Sequence, residues 1–369
     1  MTAQTYPLSG VRILDLTEML PGPYASMIFT QLGASVIKVE RPPAGDRLRV
    51  LVPAMYAALN RGKASVLLDL RRRDDLDRLL ELAEGADVFM EGFRPGAAER
   101  LGAGFADIAA RRSDVVYLSM SGWGRSGPLA ATAAHNENAL AVAGAVFLSG
   151  QAGQPPGDSA PIPVADLGAS LFAAIAVLSA LRVPGRAAQH LDSSMLAAGL
   201  ALNGPRLVEY GARGARGRDE LLNRPGCGVF RAADGEYLSV MAVEDHFFAA
   251  LCAAIGRPDL SGDPGLATYQ LRFGRAEYLA AVLADAFGGR PRDAWIAALE
   301  AAGVPCAPVL EPPQVAGHPQ VRALGMVEGS WPELRFGFPV TGLAHCSPAA
   351  ADPLDGSGAA IRARGWAAT

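Results

Sequence analysis

Short β-branched runs alternate with helix-patterned stretches through the first half of the chain. VRILDL, SVIKVE, SVLLDL, DVFME and VVYLSM are apolar runs of strand length, while PYASMIFTQLG and Arg72 to Glu84 carry helical spacing between them. This alternation predicts βαβ units, a parallel sheet with helices on both faces, and right-handed crossovers. The helical pattern returns from Asp166 to about Leu181 and from Leu191 to Glu209, and GARGARGRDE then breaks it. Beyond the break the texture changes. In GVFRAADGEYLSVMAV an AADG turn between two strand-like runs predicts a hairpin, with helices following to about Ala302. The expected organisation is α/β: a large domain over 1–215, a smaller α+β domain over 223–313, and a segment over 314–369 that returns to the large domain.

Composition narrows the class. The 369 residues, half of them apolar, suffice for more than one core. With 33 basic against 37 acidic residues the formal charge is −4, and no dense basic cluster suggests a nucleic-acid partner. Cys227, Cys252, Cys306 and Cys346 stand singly, so neither a metal site nor a disulfide framework is indicated. The start MTAQTYPLSG lacks the charge and apolar run of a signal peptide, and ASLFAAIAVLSAL falls short of the roughly 20 residues that span a bilayer. A cytoplasmic protein without membrane segments is expected.

Candidate chemistry gathers at predicted strand ends. GWGRSG, Gly122 to Gly127, is formally GxGxxG after a strand, but no acidic residue follows about 20 positions on to hold a ribose. Its glycines then either let backbone approach another ligand or make a tight turn. Lys38, Arg41, Arg61, Lys63 and Arg94 flank β runs, where converging cations suit a phosphorylated ligand such as a nucleotide or coenzyme A, and where ordinary surface charges also occur. His135 in AHNEN and Asp166 in PVADLG each open an apolar helix. Each has a structural reading, Asp166 as an N-cap above all, and together they form a candidate acid/base pair. Glu244 either favours a helix dipole or reaches His135 to hold its imidazole. HExxH, GxSxG and GxxxxGK[ST] are absent, which excludes the zincin, α/β-hydrolase and P-loop chemistries.

The ordered motifs LSGVRILDL, PGPYA, LGASVIKVERP, NRGKASVLLDL, EGFRPG, SGWGRSGP, DGEYLSV and GVPCAPV resemble the class III coenzyme A-transferase superfamily, CaiB/BaiF, and within it the α-methylacyl-CoA racemase branch. The resemblance implies a Rossmann-like large domain plus a small domain, in an interlocked homodimer whose site lies between the large domain of one chain and the small domain of the other. It implies no prosthetic group, coenzyme A entering as part of an acyl-CoA thioester substrate. By matched position, Lys38, Leu59, Asn60, Arg61, Gly62, Lys63, Met90, Glu91 and Arg94 contact the nucleotide and pantetheine. The racemase motif G-H-D-x-N-Y reads here as Ala134, His135, Asn136, Glu137, Asn138, Ala139, keeping the histidine and second asparagine.

The mechanism so implied is a two-base inversion of the α-carbon of a 2-methylacyl-CoA. His135, backed by Glu244, takes the proton from one face and Asp166 delivers to the other, while the backbone N–H of Asn136 steadies the enolate. The alternative is a coenzyme A-transferase in which Asp166 attacks the thioester and forms a mixed anhydride.

Overall fold

The computed structural model describes residues 5–158, 161–213, 217–329, 331 and 334–369. Six strands form one sheet: β1 (Arg12–Leu16), β2 (Ser35–Glu40), β3 (Ala64–Leu67), β4 (Val88–Glu91), β5 (Val116–Ser121) and β6 (Gln189–Ser194). Every pairing is parallel and the order is β3-β2-β1-β4-β5-β6, the doubly wound arrangement. The α/β expectation holds. One strand differs from the sequence reading: Leu191 to Ser194, expected at the start of a helix, belongs to β6, and the helix begins at Met195. Edge strand β6 is polar at every position but Leu191 and buries only Ser194, so it lacks the apolar run that marks the others.

The helix Val164–Leu181 buries Ala165, Ala169, Ala173, Ala174, Val177 and Ala180 in the core with β4 and β5 residues Val88, Val116 and Leu118. At 18 residues it is longer than its apolar run suggested, and its length and composition alone would suit a membrane span. Small side chains on its packed face let it lie close to the helix Met195–Arg213; a Cβ on Gly168 would meet Leu202 at 2.6 Å.

The hairpin that AADG predicts is present: β7 (Cys227–Arg231) and β8 (Tyr237–Met241) pair antiparallel, and β9 (Cys306–Pro308) completes a three-stranded sheet over a core containing Phe287, Trp295 and Leu299. The C-terminal residues lie against β3. Asp352 and Asp355 accept the backbone N–H groups of Ser65 and Leu67 at 2.9 and 2.8 Å, and Trp366 Nε1 donates to Leu82 O at 2.8 Å.

Candidate active site

The strand order reverses between β1 and β4, and outside their carboxyl ends lies a cavity of about 210 Å³. Thr17 to Gly22 after β1, Gly92 after β4 and Ser121–Gly122 at the end of β5 wall it on one side, and His135 and Asp166 on the other. A reversal point of this kind is where open α/β sheets bind ligands.

His135 is the N-cap of the helix Asn136–Val142, its backbone N–H donating to Asn138 Oδ1 at 3.0 Å. Asp166 lies in the first turn of Val164–Leu181. The two helix starts are joined, because Asn136 Oδ1 accepts the backbone N–H of Ala165 at 2.8 Å and of Asp166 at 3.4 Å. One turn further, Ser170 Oγ lies 2.8 Å from Asp166 O and 2.6 Å from Pro21 O, linking the helix to the cavity's other wall. Burial pushes the Asp166 carboxyl up to about 6, and the neighbouring His135 opposes that rise. The group is therefore ionised at neutral pH but poorly solvated, the condition of a reactive carboxylate.

Other expected site residues are placed elsewhere. Glu244 is the exposed N-cap of the helix Asp245–Ala254, which follows β8, and lies outside the lining of this cavity. Within one chain it makes no hydrogen bond or ion pair with His135 among the described residues. Lys38 and Lys63, expected on phosphates, are interior. Lys38 Nζ donates to Thr17 O at 2.8 Å and pairs with Asp46 at 3.1 Å, while Lys63 Nζ reaches Ser26 Oγ at 2.7 Å, Asn60 Oδ1 at 2.8 Å and Pro23 O at 3.0 Å. Between them Asp15 is buried; burial would raise its pKa, but Lys38 and Lys63 outweigh it and hold the carboxyl down at about 2. Burial brings Lys63 down to about 7 against the pull of Asp15, whereas for Lys38 the opposing attraction of Asp15 and Asp46 overcomes burial and raises its pKa. These lysines hold the turn from Thr17 to Pro23. Glu40, two residues on from Lys38 and on the same face of β2, adds to the attraction on it.

Met90, Glu91, Leu59 and Asn60 are buried as well. Gly62 has φ +70° and packs on Pro348, and Arg61 donates to Pro348 O at 2.6 Å. Arg94 is exposed beyond β4. The exposed cation at this edge is instead Arg41, with Arg71 beside it held by Asp69, its Nε and Nη2 donating to the two carboxylate oxygens at 2.8 and 2.9 Å. Arg41 and Arg71 line a second cavity of about 230 Å³ with Leu68, Leu70, Phe93 and the carboxylates Glu40 and Asp69, and Glu18 borders both cavities. Arg41 was among the five strand-end cations; Arg71 was not.

GWGRSG is a tight turn against the sheet. Gly124 and Gly127 have φ +96° and +97°, and a Cβ on Gly122 would fall 2.4 Å from that of Ala134. Arg125 and His190, neither assigned from sequence, meet there: Arg125 Nη1 lies 2.6 Å from His190 Nε2 and 3.0 Å from Ser119 Oγ, and Arg125 Nη2 donates to Glu99 at 3.0 Å. His190 could not be found because its partners are 65 and 71 residues away. Among the described residues no cluster could hold a metal.

A family model described as CoA-transferase family III matches residues 8–347. An acetyl-CoA:oxalate CoA-transferase from Acetobacter aceti is 33% identical over 370 residues, covering 96% of this chain and 95% of that protein. A succinyl-CoA:glutarate CoA-transferase from Homo sapiens is 32% identical over 341 residues, covering 87% and 76%. Among solved structures, a CaiB/BaiF family protein from Brucella suis aligns with a TM-score of 0.86 at 28% identity, over 98% of this chain and 99% of that one.

Proposed function

We propose that this chain, which belongs to CoA-transferase family III, moves coenzyme A from one carboxylic acid to another with Asp166 as the nucleophile. The observation that carries the reading is the Asp166 carboxylate itself: ionised at neutral pH, poorly solvated, and facing the cavity at the sheet's reversal point. Its oxygen attacks the thioester carbonyl, the C–S bond breaks, and coenzyme A leaves as the thiolate, so that the acyl group remains on Asp166 as a mixed anhydride. The thiolate then attacks the aspartyl carbonyl, releasing the donor acid and leaving an aspartyl thioester. An incoming carboxylate repeats the two steps in reverse order, so Asp166 is regenerated. Negative charge on the thioester oxygen during each attack needs N–H donors, and the first-turn amide of Asn136 has no acceptor within its own helix.

The nucleotide end of coenzyme A is assigned to the Arg41 and Arg71 cavity, with the pantetheine passing Glu18 towards Asp166. The exposed Arg41 guanidinium suits a phosphate through paired N–H donors, and Arg71 adds positive charge beside it. A homodimer is the proposed state. Exposed Leu171, Phe172 and Ile175 on the Asp166 helix and Leu200, Leu202 and Val208 on the next support it, as does a site that receives nothing from its own chain's small domain.

The racemase reading, with His135 and Asp166 as opposed bases on a 2-methylacyl-CoA, uses the same cavity. The relatives' names favour transfer. Incubation with an acyl-CoA in deuterium oxide, followed by hydroxylamine trapping and peptide mass spectrometry, separates the two. An adduct at Asp166 with no α-deuterium is the expected result. Deuterium entering an intact thioester without an adduct would overturn the transferase reading in favour of the racemase.

A further inference from the structure

We propose that Arg125 is a positioning residue for the transfer cavity, holding the glycine turn Gly122–Gly127 on the sheet through a hydrogen bond that His190 accepts only as the neutral imidazole. The inference rests on the reading that this cavity takes the thioester. Arg125 is always charged and has only donors, so at 2.6 Å its Nη1 requires a lone pair on His190 Nε2. The imidazole proton is therefore on Nδ1. Protonating His190 would place two donors and two positive charges against each other and break the contact.

The turn has further anchors, since Arg125 also donates to Ser119 Oγ and to Glu99 at 3.0 Å each and Gly122 O accepts from Leu196 N at 3.0 Å; the His190 contact is the one that imidazole protonation removes. Arg125 N donates to Asp192 Oδ2 at 3.0 Å and Gly124 N to Ser121 Oγ at 2.9 Å, while residues 126 to 129 are exposed. What the turn holds is part of the site. Ser121 and Gly122 line the cavity, and Gly122 rests on Ala134, the residue before His135. A shift of the turn thus reaches the cavity through residues that line it.

His190 is gripped from every side. Its ring stacks on Phe105 at 5.0 Å and meets the Tyr117 ring edgewise at 4.9 Å. Charged groups facing the pair are Glu99, Asp192 and, through Ser119, the buried Glu91. Burial and then Arg125 push His190 below its usual 6.5, with Asp192 and Glu99 opposing. The grip is accordingly intact at neutral pH and is released on acidification.

The test reads the turn directly. The protein labelled with 5-fluorotryptophan carries four reporters, one of them Trp123 inside the turn, assigned by its loss in Trp123→Phe. In substrate-free protein the Trp123 ¹⁹F resonance is expected to move in one step below pH 6.5, and the step persists in Asp166→Asn and in His135→Asn, which remove the ionisable groups of the neighbouring cavity wall. In His190→Gln, which still offers an acceptor oxygen, the step disappears. In Arg125→Gln the resonance is displaced at every pH and KM for the acyl-CoA rises about tenfold while kcat changes less; Arg125→Lys restores part of both. A pH-independent wild-type resonance, or an Arg125→Gln protein matching wild type in resonance and KM, would overturn the proposal. If the resonance behaves as described while the wild type transfers no coenzyme A, the functional reading falls and the Arg125–His190 contact stands.

Discussion

Asn136 and Asp166 are fastened to one another: the asparagine's side-chain oxygen receives the backbone N–H of Ala165 at 2.8 Å and of Asp166 at 3.4 Å. The residue beside His135 therefore caps the helix that presents the carboxylate. Asn136→Ala removes the acceptor and is expected to cost about 1 kcal/mol of stability in urea denaturation, together with a loss of transfer rate as the first turn loosens. Asn136→Asp keeps the acceptor but adds negative charge beside Asp166, so the pH at which the rate half-develops should rise. An alanine variant with wild-type stability and rate would remove the cap from the account.

Asp166 pays no catalytic dividend to the fold. Its folded pKa of about 6 lies above the ordinary 3.8, so the fold favours the protonated acid. The resulting penalty is absent below 3.8, grows through the interval and is complete above about 6. Asp166→Asn is expected to abolish transfer while stabilising the protein at pH 7.5 by roughly 1 to 3 kcal/mol. The rise in thermal midpoint, followed by scanning calorimetry, should be smaller at pH 4.5. Equal gains at both pH values would mean that burial, not charge, sets the difference.

His135 lowers the pKa of Asp166 through its charge. Deleting it in His135→Ala should therefore move the acid limb of the rate profile to higher pH, with most turnover kept at pH 8, where Asp166 is ionised regardless. Under the racemase scheme the same variant loses a base and activity fails at every pH. Rate profiles for coenzyme A transfer between pH 5 and 8.5 distinguish the two.

The sheet was legible because five of its six strands each carry a short, largely apolar run of strand length. Edge strand β6 was not, since HLDSS exposes one side and its polar residues answer to Ser119 and Arg125 across the chain. His135 and Asp166 were legible as helix openers, and both line one cavity. The cations were harder. A lysine in a strand-end motif reads identically whether it points out to a phosphate or inward to Asp15 and Asp46, because register and the depth of the turn above it decide, and neither is written locally.

That ambiguity yields the sharpest contrast between residues of like charge. Lys38 is fully buried and holds Asp46 and the Thr17 carbonyl; Arg41, three residues on, is exposed and lines the Arg71 cavity. Removing one partner of a buried pair strands the other, so Lys38→Met is expected to lose about 3 to 5 kcal/mol of stability. Arg41→Ala should change stability by less than about 0.5 kcal/mol, as surface substitutions do, yet weaken coenzyme A roughly tenfold by losing a paired phosphate contact. Urea denaturation and calorimetric titration with free coenzyme A measure both. Should Lys38→Met fold as well as wild type and bind coenzyme A tenfold worse, the phosphates would belong to Lys38 and the interior assignment would be wrong.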